Sequence, residues 1–288
     1  MIIIDLNQVM ISNLMAQLGS HTNVEIEEQL LRHMVLNSIR SNIVKFKEFG
    51  EVVIACDDKN NWRRQVFPYY KANRRQQRQE SELDWTAIFD TLNKIKSELK
   101  EYFPYRVIQV DNAEADDVIA SLVRKHGWDQ PVMPDHIEMI VILSGDKDFV
   151  QLQKYSNVIQ YNPVQKKYVK HSSPDRYLIE HIIKGDRSDG IPNVASADDC
   201  FINGGRQKPI RQTSIDKLIA DGLHNLPEEW KQGYFRNRTL VDLSYVPNTI
   251  SDDVFAQYEQ QQGKTRSKMF NYFVSFKLKG LMEHINEF

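Results

Sequence analysis

The sequence predicts an α/β fold in which a mainly parallel central sheet is flanked by helices and followed by a C-terminal helical domain. One observation is the unbroken apolar run at residues 139–143, which leads through Ser144 and Gly145 to two acids, Asp146 and Asp148. A run of this kind is typical of a strand buried on both faces, as in a parallel sheet. The other is that the stretches between such runs carry apolar residues at helical spacing.

Acidic residues follow four of the predicted strands. Three further apolar runs, at residues 2–4, 52–56 and 106–110, also lead into acids. Because ligands bind beyond the carboxyl ends of the strands in open α/β sheets, we expect these side chains to meet in one crevice. A polar turn is the alternative interpretation of each acid taken alone. The acids at these strand ends are Asp5, Asp57, Glu114, Asp116, Asp117, Asp146 and Asp148.

Carboxylates gathered in one crevice repel one another and raise one another's pKa unless a cation neutralises them. Asp and Glu oxygens without His or Cys partners suit Mg²⁺ or Mn²⁺. The sheet is therefore predicted to hold hard metal ions. Glu114, Asp116 and Asp117 open a helix, and all three can reach one site only if Glu114 lies before the first regular turn. The helix dipole alone also favours acids at such a position.

The remaining elements are predicted from the periodicity of apolar residues and from residues that start or stop a helix. A polar turn through Asn7 and Gln8 follows the first strand, and Pro174 marks the start of a helix that ends in a turn bearing Asp186 and Asp189. The other predicted elements are helices at 25–49 and 82–103 and a hairpin at 158–161 and 167–169. Three C-terminal helices are predicted to start at 214–219, 228–235 and 253–261, and a last helix is predicted at 264–281.

A basic segment at residues 59–79 follows Asp57 and contains no acid. Cationic side chains that alternate with aromatic rings are what single-stranded nucleic acid binding uses. We interpret the segment, taken as 59–80, as a mobile arch over the active site, and a solvated basic loop is the alternative. Its cations and rings are Lys59, Arg63, Arg64, Lys71, Arg74, Arg75, Arg78, Trp62, Phe67, Tyr69 and Tyr70.

Composition limits the class of protein. The 288 residues, of which 41% are hydrophobic, suit a larger domain at 1–180 and a smaller one at 181–288. The net charge is −2, but without the nine acids proposed for the site, 30 acidic residues face 37 basic ones, a balance of +7. Cys56 and Cys200 form no disulfide or zinc pattern, and no signal peptide or membrane span is predicted. We expect a cytoplasmic protein, in an infected bacterial host if the chain is phage-encoded.

The turn at residues 185–194, Gly-Asp-Arg-Ser-Asp-Gly-Ile-Pro-Asn-Val, resembles the helix-three-turn-helix of the 5′-nuclease family, which includes flap endonucleases. The acidic block at 114–117, the paired aspartates at 144–149 and the arch at 62–74 are similar to that family's other motifs and follow in its order. The resemblance spans roughly residues 1–194 and continues loosely to the end, where Ile-Asn-Glu-Phe is similar to the ribonuclease H enzymes of T-even phages. It implies a PIN-like nuclease domain.

The resemblance also implies roles for single residues. One metal ion would be held by Asp5, Asp57, Glu114, Asp116 and Asp146, and Asp148 and Asp186 would help to hold a second. Asp117 and Asp189 would act directly or through water. Arg63 and Lys71 would be the catalytic arch cations at the scissile phosphate, Tyr70 would stack on the terminal base, and the nucleic-acid-binding set would be Arg64, Tyr70, Arg74 and Arg75. The histidines show no ligand spacing and are interpreted as incidental.

The implied activity is a Mg²⁺-dependent 5′→3′ nuclease with two ions, for which Mn²⁺ is a substitute, that removes RNA primers and 5′ flaps during replication. The implied partners are duplex DNA with a 5′ flap or fork, RNA–DNA hybrids, a single-strand-binding protein and a sliding clamp, with no membrane, and the chain would be a monomer. Residues 195–212 replace the Gly-x-Gly-x-Lys-Thr hairpin of many relatives, so the resemblance carries over no potassium site.

Two other functions are alternatives. A PIN-type endoribonuclease would share the acidic crevice but would lack the arch and the helix-three-turn-helix. A non-catalytic module that binds branched DNA would be expected to lose acids, whereas all nine positions are filled.

Overall fold

A six-stranded sheet lies at the centre of the structure, a computed structural model that describes residues 1–18, 27–81, 83–130 and 132–288, apart from the side chains of residues 17, 18, 75–77 and 79. The strand order is β3-β2-β1-β4-β5-β6, and β6 alone pairs antiparallel to its neighbour. The strands are β1 (Ile2–Asp5), β2 (Val52–Ala55), β3 (Arg106–Ile108), β4 (Ile140–Leu143), β5 (Val158–Asn162) and β6 (Lys167–Val169). The predicted mainly parallel sheet and the hairpin are confirmed.

Helices cover both faces of this sheet and form most of the C-terminal third. None of the described helices is long and apolar enough to cross a membrane. They are α1 (Leu6–Leu18), α2 (Glu28–Lys45), α3 (Trp62–Val66), α4 (Ala72–Gln79), α5 (Trp85–Tyr102), α6 (Ala115–His126), α7 (Pro174–Lys184), α8 (Gln212–Asp221), α9 (Glu228–Val241), α10 (Asn248–Gln260), α11 (Met269–Ser275) and α12 (Lys279–Met282).

The core has three parts. Two of them lie on opposite faces of the sheet, because successive strand side chains point to opposite faces. Ile2 and Ile4 of β1 pack with α1, α2, α5 and the C-terminal α11 and α12, whereas Ile3 packs with α6 and α10. A third cluster joins α7, α8 and α9 to the basic segment through Phe67 and Tyr70. The last helices thus pack against the central sheet, and the division at residue 180 stays a prediction.

Two local predictions are wrong. Helix α1 begins directly after β1, where a polar turn was expected, because Leu6, Val9 and Leu14 are buried at helical spacing and outweigh the polar residues between them. The predicted helix at 264–281 is interrupted between α11 and α12. There Lys277 has a φ of 54° and the Leu278 amide donates to the Phe273 carbonyl over 2.9 Å, a helix-ending arrangement that buries Leu278.

Candidate active site

The carboxyl edge of the sheet brings the strand-end acids together. β1 lies between β2 and β4. From β1 the chain proceeds through β2 to β3 on one side, and β4, β5 and β6 follow on the other side, so the strand order reverses between β1 and β4. Crevices form outside the carboxyl ends of strands at such a point. Asp5 ends β1, Asp57 follows β2, and Asp146 and Asp148 follow β4. The predicted convergence of these acids is what the structure shows.

Asp5 is fixed at the centre of this edge. Its two carboxylate oxygens accept hydrogen bonds from the Gln8 amide, over 3.1 Å, and from the Ser144 hydroxyl, over 3.0 Å. Burial raises the pKa of Asp5 to about 7, and repulsion from Asp57 and Asp146 adds to the effect. The sequence interpretation gave Ser144 no role in the site, although the residue stands two positions before Asp146.

Asp57 links β2 to the acidic helix start. It accepts a hydrogen bond from the Ala115 amide over 2.7 Å and another from the Asn7 side chain, which sequence reasoning had assigned to a turn. Burial raises its pKa, and the Glu114 carboxylate raises it further. The amide at the start of α6 therefore holds Asp57 in place without supplying a full positive charge.

Asp116 and Asp148 complete a group of acids with raised pKa. Burial raises the pKa of Asp116 well above its usual range, and the nearby charge of Asp146 contributes. Burial and Asp146 likewise raise the pKa of Asp148 to about 7. The Oδ1 atom of Asp148 is buried and has no hydrogen-bond partner within the described residues. Such oxygens are available to a cation.

Glu114 occupies the position that the sequence argument required. It is the N-cap of α6, with φ −90° and ψ 162°, so it lies before the first regular turn. Its carboxylate accepts from the Lys71 ammonium at 2.5 Å and from the Tyr70 hydroxyl at 2.8 Å. Burial opposes ionisation, but Lys71 and Arg63 outweigh it and lower the pKa of Glu114 to about 2.

Arg63 and Asp117 occupy positions that correct the sequence expectation. The Arg63 guanidinium makes two contacts with the Asp117 carboxylate, at 2.8 and 3.0 Å, and its Nε donates to the Leu240 carbonyl at 2.9 Å. Asp117 also accepts from the Trp62 indole and the Glu114 amide and is fully buried. A bidentate pair below the crevice leaves neither Arg63 facing a phosphate nor Asp117 facing a metal ion.

The basic segment contains α3 and α4, and its residues differ in exposure. Tyr70 is 3% exposed with its ring in the third core cluster, which corrects the expected stacking on a terminal base. Arg64 is exposed, and the Arg74 guanidinium, 43% exposed, contacts Asp189 at 2.5 Å. The side chain of Arg75 lies outside the described residues.

Lys71 joins the basic segment to the acids. Its backbone is left-handed, with a φ of 56°, and its amide donates to the Asp189 carbonyl over 2.7 Å. A non-glycine residue in this conformation costs of order 1–3 kcal/mol and is often found at functional sites. The conformation aims the ammonium group at Glu114, with Asp189 3.6 Å away.

The turn after α7 supplies the second group of acids. Asp186 accepts from the Lys147 ammonium at 2.8 Å and from the Ser188 hydroxyl at 2.6 Å. Burial opposes ionisation, yet His181, Lys147 and Ser188 hold the pKa of Asp186 well below its usual range. Asp146, Asp148, Asp186 and Asp189 line a cavity of about 390 Å³ together with Gln8 and Arg74.

His181 is a site residue that sequence reasoning missed. The side chain is 8% exposed, and its two ring nitrogens lie 3.3 Å from Asp148 and 3.3 Å from Asp186. Asp148, His181 and Asp186 each present a ligand atom within 4.8 Å of the others, an arrangement that could hold a metal ion. In the sequence, the available indication of a site role for His181 was its position one helical turn before Gly185 and the acidic turn, and that indication is weak.

The donor groups fit divalent cations. Asp5, Asp57, Asp116 and Asp146 offer oxygen alone, which suits Mg²⁺ or Mn²⁺. The raised pKa values of the first three show that these carboxylates lack neutralising charge. The roles of the single residues in chemistry stay predictions.

Comparison with known protein families identifies the chain. The family described as the 5′-3′ exonuclease, N-terminal resolvase-like domain, matches residues 1–179. The chain belongs to this nuclease family. A second family, described as the C-terminal part of T4 RNase H, matches residues 172–288. The enzyme is therefore a hydrolase of phosphodiester bonds, as the sequence resemblance predicted.

Among relatives of the enzyme, ribonuclease H of Enterobacteria phage T4 is 34% identical over 298 aligned residues, which cover 99% of this chain and 95% of that protein. Thermostable DNA polymerase I of Thermus filiformis is 29% identical over 56% of this chain, although the match covers 19% of the polymerase. The structure of T5 5′-exonuclease with bound zinc superposes with a TM-score of 0.63 and 18% identity, over 92% of this chain and 98% of that one.

Proposed function

We propose that the enzyme is a Mg²⁺-dependent 5′→3′ exonuclease and flap endonuclease that removes RNA primers and 5′ flaps from duplex DNA in replication. The observation that carries this proposal is the meeting of Asp5, Asp57 and Asp116 at one sheet edge with raised pKa values. Such a set of carboxylates is stable as anions only beside added cations.

The acids divide between two cation positions. Asp5, Asp57, Glu114, Asp116 and Asp146 would hold one ion, and Asp148 and Asp186 would contribute to the other. When bound at these residues, two divalent cations would supply Lewis-acid activation of the attacking water and charge stabilisation for the leaving oxygen.

The protein's own cations orient the substrate and stabilise charge. Lys71, whose ammonium lies beside Glu114, is positioned to contact the reacting phosphate from the side of the basic segment. Arg64 and Arg74 have exposed guanidinium groups that would bind the phosphates of the nucleic acid strand. Arg63 acts as a positioning residue, because it holds Asp117 and Glu114 at the start of α6.

Nucleic acid with a free 5′ end is the substrate class that these features favour. α3 and α4 project from β2 next to Asp57, so a strand held by their cations would pass the acidic crevice. A flap endonuclease of phage T5 with the same fold has been solved in a complex with DNA and metal ions. That relationship supports DNA as the duplex partner here.

The test incubates the full chain with a 5′-labelled DNA flap and with a 5′-labelled RNA–DNA hybrid, in Mg²⁺ or in EDTA. We expect cleavage of both in Mg²⁺, none in EDTA, and products with 5′-phosphates. Cleavage of single-stranded RNA alone would instead favour a PIN-type endoribonuclease. Tight binding of the flap without cleavage in Mg²⁺ would favour a non-catalytic module. Asp146→Asn serves as the control for contaminating nuclease and should bind duplex without cutting it.

A further inference from the structure

His181 gives the second cation position a donor that the first does not have. The imidazole lies between two carboxylates, with Nδ1 3.3 Å from Asp148 Oδ1 and Nε2 3.3 Å from Asp186 Oδ2. The ring is held in place on α7 by the edge of Tyr177, with ring centroids 5.9 Å apart. A buried, oriented imidazole at a carboxylate pair has the arrangement of a metal-ligating histidine.

The contacts of the three groups leave room for an ion. Asp148 Oδ1 has no hydrogen-bond partner within the described residues, although His181 Nδ1 is close to it. In metal sites, a ligating histidine commonly donates from its other ring nitrogen to a carboxylate, as Nε2 is placed to do with Asp186. Lys147, which now contacts Asp186, is 50% exposed and can move into solvent when an ion enters.

We propose that His181 is a nitrogen ligand of the second cation position, with Nδ1 facing the ion beside Asp148 and Nε2 donating to Asp186, and that this position binds transition-metal divalent ions in preference to Mg²⁺. Imidazole suits zinc, iron, nickel and copper, whereas Mg²⁺ prefers oxygen alone. The inference rests on the proposed nuclease function and deepens it: the first position, with carboxylate oxygens, remains open to Mg²⁺, so the two positions differ in the ions they select.

Pulsed electron paramagnetic resonance of the full chain loaded with Mn²⁺ tests this directly. We expect ¹⁴N coupling from one imidazole in the wild-type protein, absent in His181→Asn and present in His136→Asn, an exposed histidine on the loop before β4. By titration, His181→Asn should weaken Zn²⁺ binding at one of two sites by at least the roughly 10- to 100-fold that loss of an outer-shell partner of a metal ligand costs. Its effect on Mg²⁺ binding should be much smaller.

The outcomes separate this inference from the proposed function. Saturation with Mn²⁺ without nitrogen coupling in the wild-type protein would overturn the inference and leave the nuclease proposal standing. Coupling that persists in a folded His181→Asn variant would also overturn it. No binding of Mn²⁺ or Mg²⁺ at all would overturn the proposed function itself. The wild-type spectrum decides the matter even if the variant does not fold.

Discussion

Two sets of carboxylates share the carboxyl edge of the sheet, and they differ in what neutralises them. Members of the first set contact a lysine or arginine, whereas those of the second have no such ion pair within the described residues. The paired acids and their cations are Glu114 with Lys71, Asp117 with Arg63, Asp186 with Lys147 and Asp189 with Arg74. The unpaired acids are Asp5, Asp57, Asp116 and Asp148.

The comparison shows that two adjacent aspartates, Asp116 and Asp117, have different roles. Asp117 is neutralised by the protein and stabilises the start of α6, whereas burial and Asp146 disfavour the charged form of Asp116 and raise its pKa. The paired set therefore contributes to the stability of the fold. The unpaired set lowers the stability of the metal-free protein and gains it back when cations bind.

Asp116→Asn should abolish most activity. Loss of one charged ligand should lower kcat by on the order of 1,000-fold or more, comparable to removal of a group that stabilises the transition state. The same change removes a carboxyl group whose ionisation the folded protein opposes, so the metal-free variant should unfold at a higher temperature than the wild type. Steady-state cleavage of a labelled flap and thermal unfolding in EDTA measure the two effects.

Asp117→Asn should act mainly on folding. It breaks a buried bidentate pair and leaves the Arg63 charge with the longer contact to Glu114, at 3.3 Å, which costs about 3–5 kcal/mol of unfolding free energy. Urea unfolding measures the loss. Asp116→Asn is the matched control, since the two variants make the same change at adjacent positions. Stability changes of the same sign in both would contradict the division into paired and unpaired acids.

Lys71→Ala should separate catalysis from binding. Removal of a cation directed at the reacting phosphate should lower kcat by about 100-fold with a small change in the Kd for duplex DNA. Lys125→Ala, in the last turn of α6, provides a control at the end of that helix remote from Glu114. Equal losses in kcat and affinity would make Lys71 a simple phosphate anchor.

The metal-free protein should lose stability as the pH rises. Asp5 and Asp148 have pKa values of about 7 in the folded protein and about 4 in an unfolded chain. Between those values the folded state binds more protons, so the unfolding free energy should fall from pH 5 to pH 7.5 by roughly 2.5 kcal/mol for each group, or about 5 kcal/mol for the two together. Thermal unfolding in EDTA checks the slope, and saturating Mg²⁺ should flatten it. A stability that rises with pH in EDTA would contradict the raised pKa values.

Most of the sheet could be predicted because its evidence is local. Continuous apolar runs and the acids after them fixed the strands and the edge that carries the site. α1 was missed because Asn7 and Gln8 suggested a turn, and the buried spacing of Leu6, Val9 and Leu14 becomes clear only with the sheet beneath them. The break at Lys277 depends on tertiary burial of Leu278, which no periodicity reveals.

The site was predicted less completely than the fold. The sequence brought the acids together but could not show which of them the protein itself neutralises, since Arg63 and Asp117 meet across 54 residues of chain. The family resemblance implied that Tyr70 stacks on the terminal base, whereas packing against α7 and α9 buries it. His181 lies between two acids contributed by different elements, a neighbourhood invisible in linear spacing.

The most direct test of the account is a crystal structure of the wild-type enzyme soaked in Mn²⁺, with anomalous scattering used to locate the ions. We expect one ion among Asp5, Asp57, Glu114, Asp116 and Asp146, and a second beside Asp148 and Asp186. An occupied lattice site elsewhere, with no anomalous density at the carboxyl edge of β1 and β4, would contradict it.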